Sequence, residues 1–280
     1  MTQIGSNAAE QSVSVPGRPD TVLSLAWGAA TDTGHRRNHN EDSFVAQSPI
    51  FAVADGMGGH SAGDVASAAV VNRLAEVISA DFTEADAIEQ GLRAATADIS
   101  LAADERELGV GTTVTGAALT LQDGDPYWMI FNVGDSRVYL HEHNVLTQIS
   151  VDHSVVQELV DAGMISAEDA ESHPDSNVIT RAVGFNAEPM PDYWMVPVRT
   201  GLRILVCSDG LTKELDKERI RLHLAAGLAP AETAQALVDA ALAAGGRDNV
   251  TTIVVDVVDA PGPNDLEHTM PKGNYESPRP

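Results

Sequence analysis

Four aspartates of this 280-residue sequence stand at the ends of apolar runs. FAVA leads into Asp55, MIFNVG into Asp135 and RILVCS into Asp209, while Asp248 directly precedes NVTTIVVDVV. A single aspartate beside a glycine is the ordinary residue of a turn. The strand ends of one sandwich can converge, however, and carboxylates within ~4 Å repel by about 4 kcal/mol per pair at an effective dielectric of ~20. The set therefore predicts a cluster that needs shared protons or bound cations.

The residue types of this cluster indicate which cation it would hold. The acids offer oxygen ligands, and oxygen ligands alone select hard ions, Mg²⁺ or Mn²⁺, over Zn²⁺ or copper. Three glycines follow Asp55 within four positions, and Glu41 and Asp42 lie just upstream. A backbone without side chains lets the carbonyl of Gly56 reach an ion and leaves room for water and substrate.

The segments that must position these acids predict a mixed fold. Strand signals lie in VLSLAWGAA, FAVAD, several short segments between 111 and 150, DYWMVPV, LRILVCSD and NVTTIVVDVV. Helices are predicted from Ser61, where Asp64 would complete a capping box, and over 85–103, 155–162 and 231–244. Short hairpins join the strands and the helices fall in a few blocks between them. This arrangement favours an α+β fold with mostly antiparallel sheet.

Both ends of the sequence are predicted to be flexible tails. Residues 1–20 are rich in Ser, Asn, Gln and Pro, and residues 260–280 carry Pro, Gly, Asn and Glu with almost no apolar periodicity. No linker and no repeat divides the rest of the chain. We therefore expect one domain over residues 21–259.

Charge and composition limit the partners. The chain has 41 acidic and 17 basic residues, a formal net charge of −24, which repels nucleic acid and anionic membranes. Its single cysteine, Cys207, rules out an internal disulfide framework. No apolar run approaches the length of a membrane span, and residues 1–20 lack the apolar core of a signal peptide. We expect a cytoplasmic monomer that binds neither nucleic acid nor membranes.

Six short motifs together resemble a known family. In chain order they are R-x-x-N-E-D (37–42), D-G-M-G-G-H (55–60), G-T-T (111–113), G-D-S-R (134–137), S-D-G (208–210) and G-x-D-N-V-T (246–251). None is specific alone, but the set in this order resembles the metal-dependent protein phosphatases, the protein phosphatase 2C family, in its compact bacterial form. The resemblance spans about 26–257. It implies a four-layer α-β-β-α sandwich, in which helices flank two central antiparallel sheets, with a two-metal site at one end.

The resemblance also implies which residues would bind the two metal ions. Asp55 matches the carboxylate that bridges two Mn²⁺ or Mg²⁺ ions, and Asp209 and Asp248 match ligands of the first ion. The Gly56 carbonyl matches a ligand of the second ion, which Glu41 would hold through water.

Two further positions match residues outside that pair of ions. Asp135 resembles a ligand of a third, weaker ion shared with Asp209. Arg37 resembles the residue that binds the substrate phosphate. Arg36 is the alternative, but only Arg37 stands three residues before Asn40.

The activity implied is hydrolysis of phosphoserine and phosphothreonine in proteins, by direct attack of a water or hydroxide that bridges two ions. Such an enzyme reverses Ser/Thr kinase signalling, so phosphoproteins and Ser/Thr kinases are the expected partners. Cysteine-based phosphatases use C-x5-R, whereas Lys213 stands six residues after Cys207. The alternative is a catalytically silent relative that binds a partner. Such a protein should have lost metal aspartates, and Asp55, Asp209 and Asp248 are all present.

The sequence departs from the family pattern at two places. Many relatives have a histidine directly after the Asp-Gly, suggested as the general acid, where this chain has Met57; His60 is a substitute, but a helix-entry role is as plausible. Some relatives carry another aspartate where Lys213 stands, which predicts weak binding of the third ion. Residues 151–184 resemble the family's flap beside the active site.

Overall fold

The computed structural model describes residues 1–18, 21–58, 62–102, 110–171, 173–185 and 188–260. Its strands are Gln3–Gly5 (β1), Ala8–Ser14 (β2), Val22–Asp32 (β3), Asp42–Gln47 (β4), Ile50–Met57 (β5), Gly111–Thr112 (β6), Val114–Gln122 (β7), Asp125–Val133 (β8), Arg137–Glu142 (β9), Val145–Gln148 (β10), Asp192–Pro197 (β11), Arg203–Cys207 (β12) and Val250–Asp259 (β13). Its helices are Ala62–Glu76 (α1), Ala85–Ala102 (α2), Val155–Asp161 (α3), Ala167–Glu171 (α4), Asp209–Thr212 (α5), Lys217–Leu224 (α6) and Pro230–Ala244 (α7).

The described strands form two sheets. The first has the order β1-β4-β5-β7-β8-β11, with β6 beside β5, and the second has the order β10-β9-β12-β13-β3-β2. All pairings are antiparallel except β1 with β4. Helices α1 and α2 cover the outer face of the first sheet, and α6 and α7 cover that of the second. The predicted α+β sandwich of four layers is confirmed.

The core between the sheets follows from the alternation of side chains along each strand. Aromatic side chains form its centre, where the ring of Phe51 lies 5.2 Å from Trp27 and 6.0 Å from Trp128. Residues one position away along β5, such as Ala52 and Ala54, face the helical layer instead. Both faces of the strand are therefore buried, which explains why FAVA reads as a continuous apolar run.

The prediction of a flexible N-terminal tail is wrong for residues 1–18. β1 pairs in parallel with β4, and β2 pairs with β3 as an edge of the second sheet. Val13 and Val15 are fully or almost fully buried in the core between the sheets. The alternation in SVSVP is a short period-2 signal that the surrounding polar residues obscure. Tertiary pairing orders a segment whose composition alone suggests disorder.

Other predictions of elements have mixed outcomes. The helices α2, α3 and α7 match their predicted ranges closely, whereas α4, α5 and α6 have no predicted counterpart. Ser61 and nearly all of the predicted C-terminal tail, 261–280, lie outside the described residues. Within the described chain, no helix combines the length and apolarity that crossing a bilayer requires.

Candidate metal centre

The four aspartates lie at one end of the sandwich. Asp55 is near the end of β5, Asp135 follows β8, Asp209 begins α5 and is separated from β12 by one residue, and Asp248 precedes β13. Asp55 lies in the first sheet, Asp135 in the connection from β8 of the first sheet to β9 of the second, and the other two next to strands of the second sheet. The fold thus brings together carboxylates that are up to 193 residues apart in sequence, from Asp55 to Asp248.

The electrostatics show that this end of the molecule holds more negative charge than it neutralises. Burial, and then the charges of Asp42, Asp209 and Asp135, raise the pKa of Asp55 well above its usual value. Burial and the charge of Asp209 raise the pKa of Asp135 to about 7. Such shifts mark carboxylates whose charged form is disfavoured by burial and by neighbouring negative charge.

Two basic side chains balance part of this charge. The Lys213 ammonium lies 2.5 Å from Asp209 Oδ2 and 2.9 Å from Asp248 Oδ2, so it sits between the two carboxylates. Arg37 binds Asp248 in bidentate fashion, with Nε 2.7 Å from Oδ1 and Nη2 2.8 Å from Oδ2. Burial alone would raise the pKa of Asp248, but the hydrogen bond from Arg37 and the charge of Lys213 lower it overall. The expectation that Lys213 affects mainly the third ion is therefore incomplete, since its direct partners are the predicted ligands of the first.

The backbone of Gly56 is tightly enclosed. Its N–H donates to the Glu41 carbonyl at 3.2 Å. A Cβ at this position would lie 2.7 Å from the Glu41 carbonyl oxygen and would collide with the carbonyl of Gly63. Only glycine fits there, so the β5 end stays close to the start of α1 and to Glu41. Burial, chiefly, raises the pKa of the Glu41 carboxyl.

The G-T-T motif holds Asp55 and connects it to the Asp135 turn. The Thr113 hydroxyl accepts from the Asp55 N–H at 3.1 Å and bonds to the Ser136 hydroxyl at 2.9 Å. The Thr112 hydroxyl donates to the Asp55 carbonyl at 2.9 Å. These contacts fix the backbone of Asp55 relative to Ser136, the residue that follows Asp135.

The Asp135 turn is also tied to the start of the 151–184 segment. The N–H of Gly134 donates to His153 Nδ1 at 3.1 Å, which leaves the Nε2 proton for Asp192, 3.0 Å away. Arg137, two residues after Asp135, forms an ion pair with the buried Asp152 at 2.6 Å. The position of Asp135 therefore depends on residues at the base of the predicted flap.

The donor set at this end of the sandwich fits hard divalent ions. Among the described residues, no three His, Cys, Asp or Glu side chains are grouped to hold a metal. Lys213 and Arg37 instead bind the oxygens of Asp209 and Asp248. The Asp209 Oδ1 atom is nevertheless buried, with no hydrogen-bond partner in the described structure. An unpaired carboxylate oxygen in an all-oxygen, over-charged cluster is the chemistry that Mg²⁺ or Mn²⁺ satisfies.

Comparison with known proteins agrees with this geometry. The family model described as protein phosphatase 2C matches residues 32–244. The chain belongs to the protein phosphatase 2C family. It is 38% identical to the serine/threonine phosphatase stp of Listeria monocytogenes over 239 residues, covering 81% of this chain and 93% of that protein. It is 41% identical to the serine/threonine protein phosphatase PstP of Mycobacterium tuberculosis, covering 85% of this chain but 46% of that longer protein.

Solved structures of the family extend the comparison to three dimensions. The Mycobacterium tuberculosis serine/threonine phosphatase PstP/Ppp superposes with a TM-score of 0.76 at 38% identity, covering 85% of this chain and all of the other. The catalytic domain of PstP in complex with two manganese ions superposes with a TM-score of 0.74 at 37% identity, covering the same 85% of this chain and all of the other. These findings make the protein a metal-dependent protein serine/threonine phosphatase and confirm the predicted Mn²⁺ or Mg²⁺ cofactor.

Within this protein phosphatase 2C domain, the sequence places Asp42 beside the cluster but assigns it no role. Asp42 is completely buried opposite Asp55 in the β4–β5 register, and its Oδ2 accepts from Ser208 at 2.8 Å and Thr251 at 2.6 Å. Burial raises its pKa to about 7 despite these hydrogen bonds. The signal was present, because Asp42, Ser208 and Thr251 all belong to the six motifs. His60, the candidate general acid, lies outside the described residues.

Proposed function

We propose that this phosphatase hydrolyses phosphoserine and phosphothreonine in proteins at the end of the sandwich where the four aspartates converge. The observation that carries the proposal is the excess of buried carboxylate at that end, with an arginine bound to its rim. Burial and the charges of neighbouring aspartates raise the pKa of Asp55, and Asp209 Oδ1 has no hydrogen-bond partner in the described structure. The cluster thus carries more buried carboxylate than Lys213 and Arg37 neutralise. The same end would therefore attract divalent ions and, once these were bound, a phosphate group.

The ligands are assigned by position and chemistry. Asp209 and Asp248 would hold one ion, the Gly56 carbonyl a second, and Asp55 both. Glu41, beside Gly63 and Gly56, would hold the second ion through water. When bound, divalent ions lower the pKa of a coordinated water toward neutrality and neutralise developing charge on phosphate oxygens.

A third, weaker ion is proposed for Asp135 with Asp209. The high pKa of Asp135, caused first by burial and then by the charge of Asp209, is consistent with two carboxylates that share a cation. Lys213 also contributes positive charge near Asp135, which would lower the affinity for that ion.

Arg37 would bind and orient the substrate phosphate. Its side chain is half exposed. Its guanidinium forms a bidentate contact with the Asp248 carboxylate, and the same geometry suits a phosphate. Binding substrate would require it to exchange Asp248 for phosphate, and an ion on Asp248 would favour that exchange by competing for the same oxygens. Placing phosphorus in a fixed position beside the metal ligands supplies the orientation that in-line hydrolysis needs.

The chain offers no reactive thiol for a covalent route. Cys207 is fully buried, and burial raises the pKa of its thiol to about 12. Hydrolysis by direct water attack therefore remains the proposed reaction, without a phosphocysteine.

The proposal extends to the cellular role. The phosphatase would act as a monomer in the cytoplasm and reverse Ser/Thr kinase signalling, with kinases and their substrates as partners. A single buried cysteine suits a reducing compartment. The net charge of −24 disfavours nucleic acid and anionic lipid as ligands.

The decisive experiment is release of phosphate from matched phosphoserine, phosphothreonine and phosphotyrosine peptides. We expect hydrolysis of the first two with Mn²⁺ or Mg²⁺, none in EDTA, and almost none for Asp209→Asn. Asp239→Asn, an exposed acid on α7, is the control for the charge change and should keep full activity. Metal-independent hydrolysis would refute the proposal, and a folded protein that binds Mn²⁺ but releases no phosphate would identify a silent relative.

A further inference from the structure

The loop that carries Arg37 is attached to the start of β13 by one buried amide side chain. Residues 33–41 connect β3 to β4, and Asn249, which is 4% exposed, lies against both ends of this loop. Its Nδ2 donates to the Thr33 carbonyl at 2.9 Å and to the His39 carbonyl at 3.0 Å. Its Oδ1 accepts from the Glu41 N–H at 2.8 Å. Both Nδ2 protons and the Oδ1 atom of this amide are therefore used on a single loop.

The Glu41 carbonyl at the end of the loop also accepts from the Gly56 N–H at 3.2 Å and the Ser67 hydroxyl at 2.5 Å, and nearer Arg37 the loop contacts residues 246–248. The His35 N–H donates to the Gly246 carbonyl at 2.7 Å. Gly34 has a φ of +75°, and a Cβ there would collide with the Asp248 carbonyl oxygen. Arg37 itself reaches Asp248, the residue directly before Asn249. The loop is thus fitted against 246–249 on one side, with Asn249 making the central contact.

These contacts bracket the residues that the proposed mechanism uses. His39 is two residues after Arg37, and Glu41 is the residue whose backbone Asn249 holds directly. A buried side chain that makes three hydrogen bonds is costly to disturb, because each group left without a partner stays out of water with its hydrogen bond unmade. The amide therefore restricts where the Arg37 guanidinium and the Glu41 carboxylate can lie.

We propose that Asn249 is a positioning residue for catalysis: it fixes the 33–41 loop so that Arg37 is presented to the substrate phosphate. The inference rests on the proposed phosphate-binding role of Arg37. Asn249 lies beside a predicted metal ligand in sequence, but its side chain faces the loop, and its effect on substrate is exerted through Arg37.

The test is Asn249→Asp, which keeps the shape and the acceptor for the Glu41 N–H but replaces both donors with an oxygen. We expect KM for a phosphothreonine peptide to rise about 10-fold or more, the scale of a lost charge-assisted contact. In an Arg37→Ala background the same change should raise KM less than about 2-fold, since sites that act through one another are not additive. Amide hydrogen exchange should also quicken at His35 and Glu41.

The matched control is Thr252→Val, three residues further along the chain and within β13. The Thr252 hydroxyl is buried and donates to the Ala234 carbonyl at 3.1 Å, away from the loop. This variant should lower the melting temperature without changing KM or the exchange of the loop amides. If Asn249→Asp does not fold, Gly34→Ala disturbs the same loop from its other contact and should give the same rise in KM.

Several results would overturn the inference. One is an unchanged KM in Asn249→Asp, or in Gly34→Ala if that variant is needed, with a melting temperature lowered as in Thr252→Val. Another is a rise in KM for Asn249→Asp that is as large in the Arg37→Ala background as in the wild-type protein. If the wild-type protein releases no phosphate, the proposed function fails, and the exchange of the loop amides still decides whether Asn249 holds the loop.

Discussion

Replacing Lys213 with methionine removes the ammonium that sits between Asp209 and Asp248 while keeping a side chain of similar length. The ammonium makes hydrogen bonds of 2.5 and 2.9 Å to these carboxylates, and its side chain is 30% exposed. A hydrogen bond to a charged group contributes about 1.5–3 kcal/mol, and the cost of desolvating the lysine offsets part of two such bonds. We expect the metal-free variant to lose about 1–3 kcal/mol of unfolding free energy on this basis.

The same change should strengthen metal binding. An ion that uses Asp209 and Asp248 must displace the ammonium, so the lysine acts as a built-in competitor. Removing a competitor worth about 1–3 kcal/mol tightens Kd by roughly 5- to 150-fold. The variant should therefore be less stable than wild type in chelator and at least as stable at saturating Mn²⁺.

Calorimetric titration of Mn²⁺ into metal-stripped protein, together with thermal unfolding in EDTA, measures both quantities. Lys217→Met is the matched control, because Lys217 is exposed at the start of α6 and its loss changes the net charge equally. The reasoning is refuted if Lys213→Met and Lys217→Met give the same Kd and the same melting temperature. A weaker Kd in Lys213→Met would show that the lysine supports the ion instead of competing with it.

Three further predictions use other parts of the structure. Asp42 and Asp135 have pKa values of about 7, above their ordinary value of 3.8, so the folded metal-free protein holds protons that the unfolded chain has released. Its stability should consequently fall as pH rises from about 4 to 7, and saturating Mn²⁺ should remove this fall in melting temperature; a flat profile in chelator would contradict the assignment. Arg37→Ala should raise KM for a phosphopeptide, while Arg36→Ala should leave it unchanged; the opposite result would move the phosphate contact to Arg36. Cys207, whose thiol pKa is about 12, should resist a thiol reagent at pH 8 until the protein is unfolded in denaturant, so rapid native labelling would contradict its burial.

The sequence by itself determined the residue types of the site and the local elements that carry them. An aspartate at the end of an apolar strand is a local pattern, and four of them predicted a carboxylate cluster before any contact was known. The order of six motifs identified the family, and the period of the apolar residues placed α2 and α7. These features are short-range, so residues close together in the sequence are enough to predict them.

Only the tertiary structure decided which charges face each other. The contacts of Lys213 with Asp248, of Asn249 with Thr33 and of Asp42 with Thr251 join residues 35, 216 and 209 positions apart, and no periodicity records such pairs. The strand at 8–14 is a further case, because its pairing with β3, more than its own composition, orders it. Sequence spacing specifies local geometry, whereas burial and pairing between distant segments arise only when the whole chain packs.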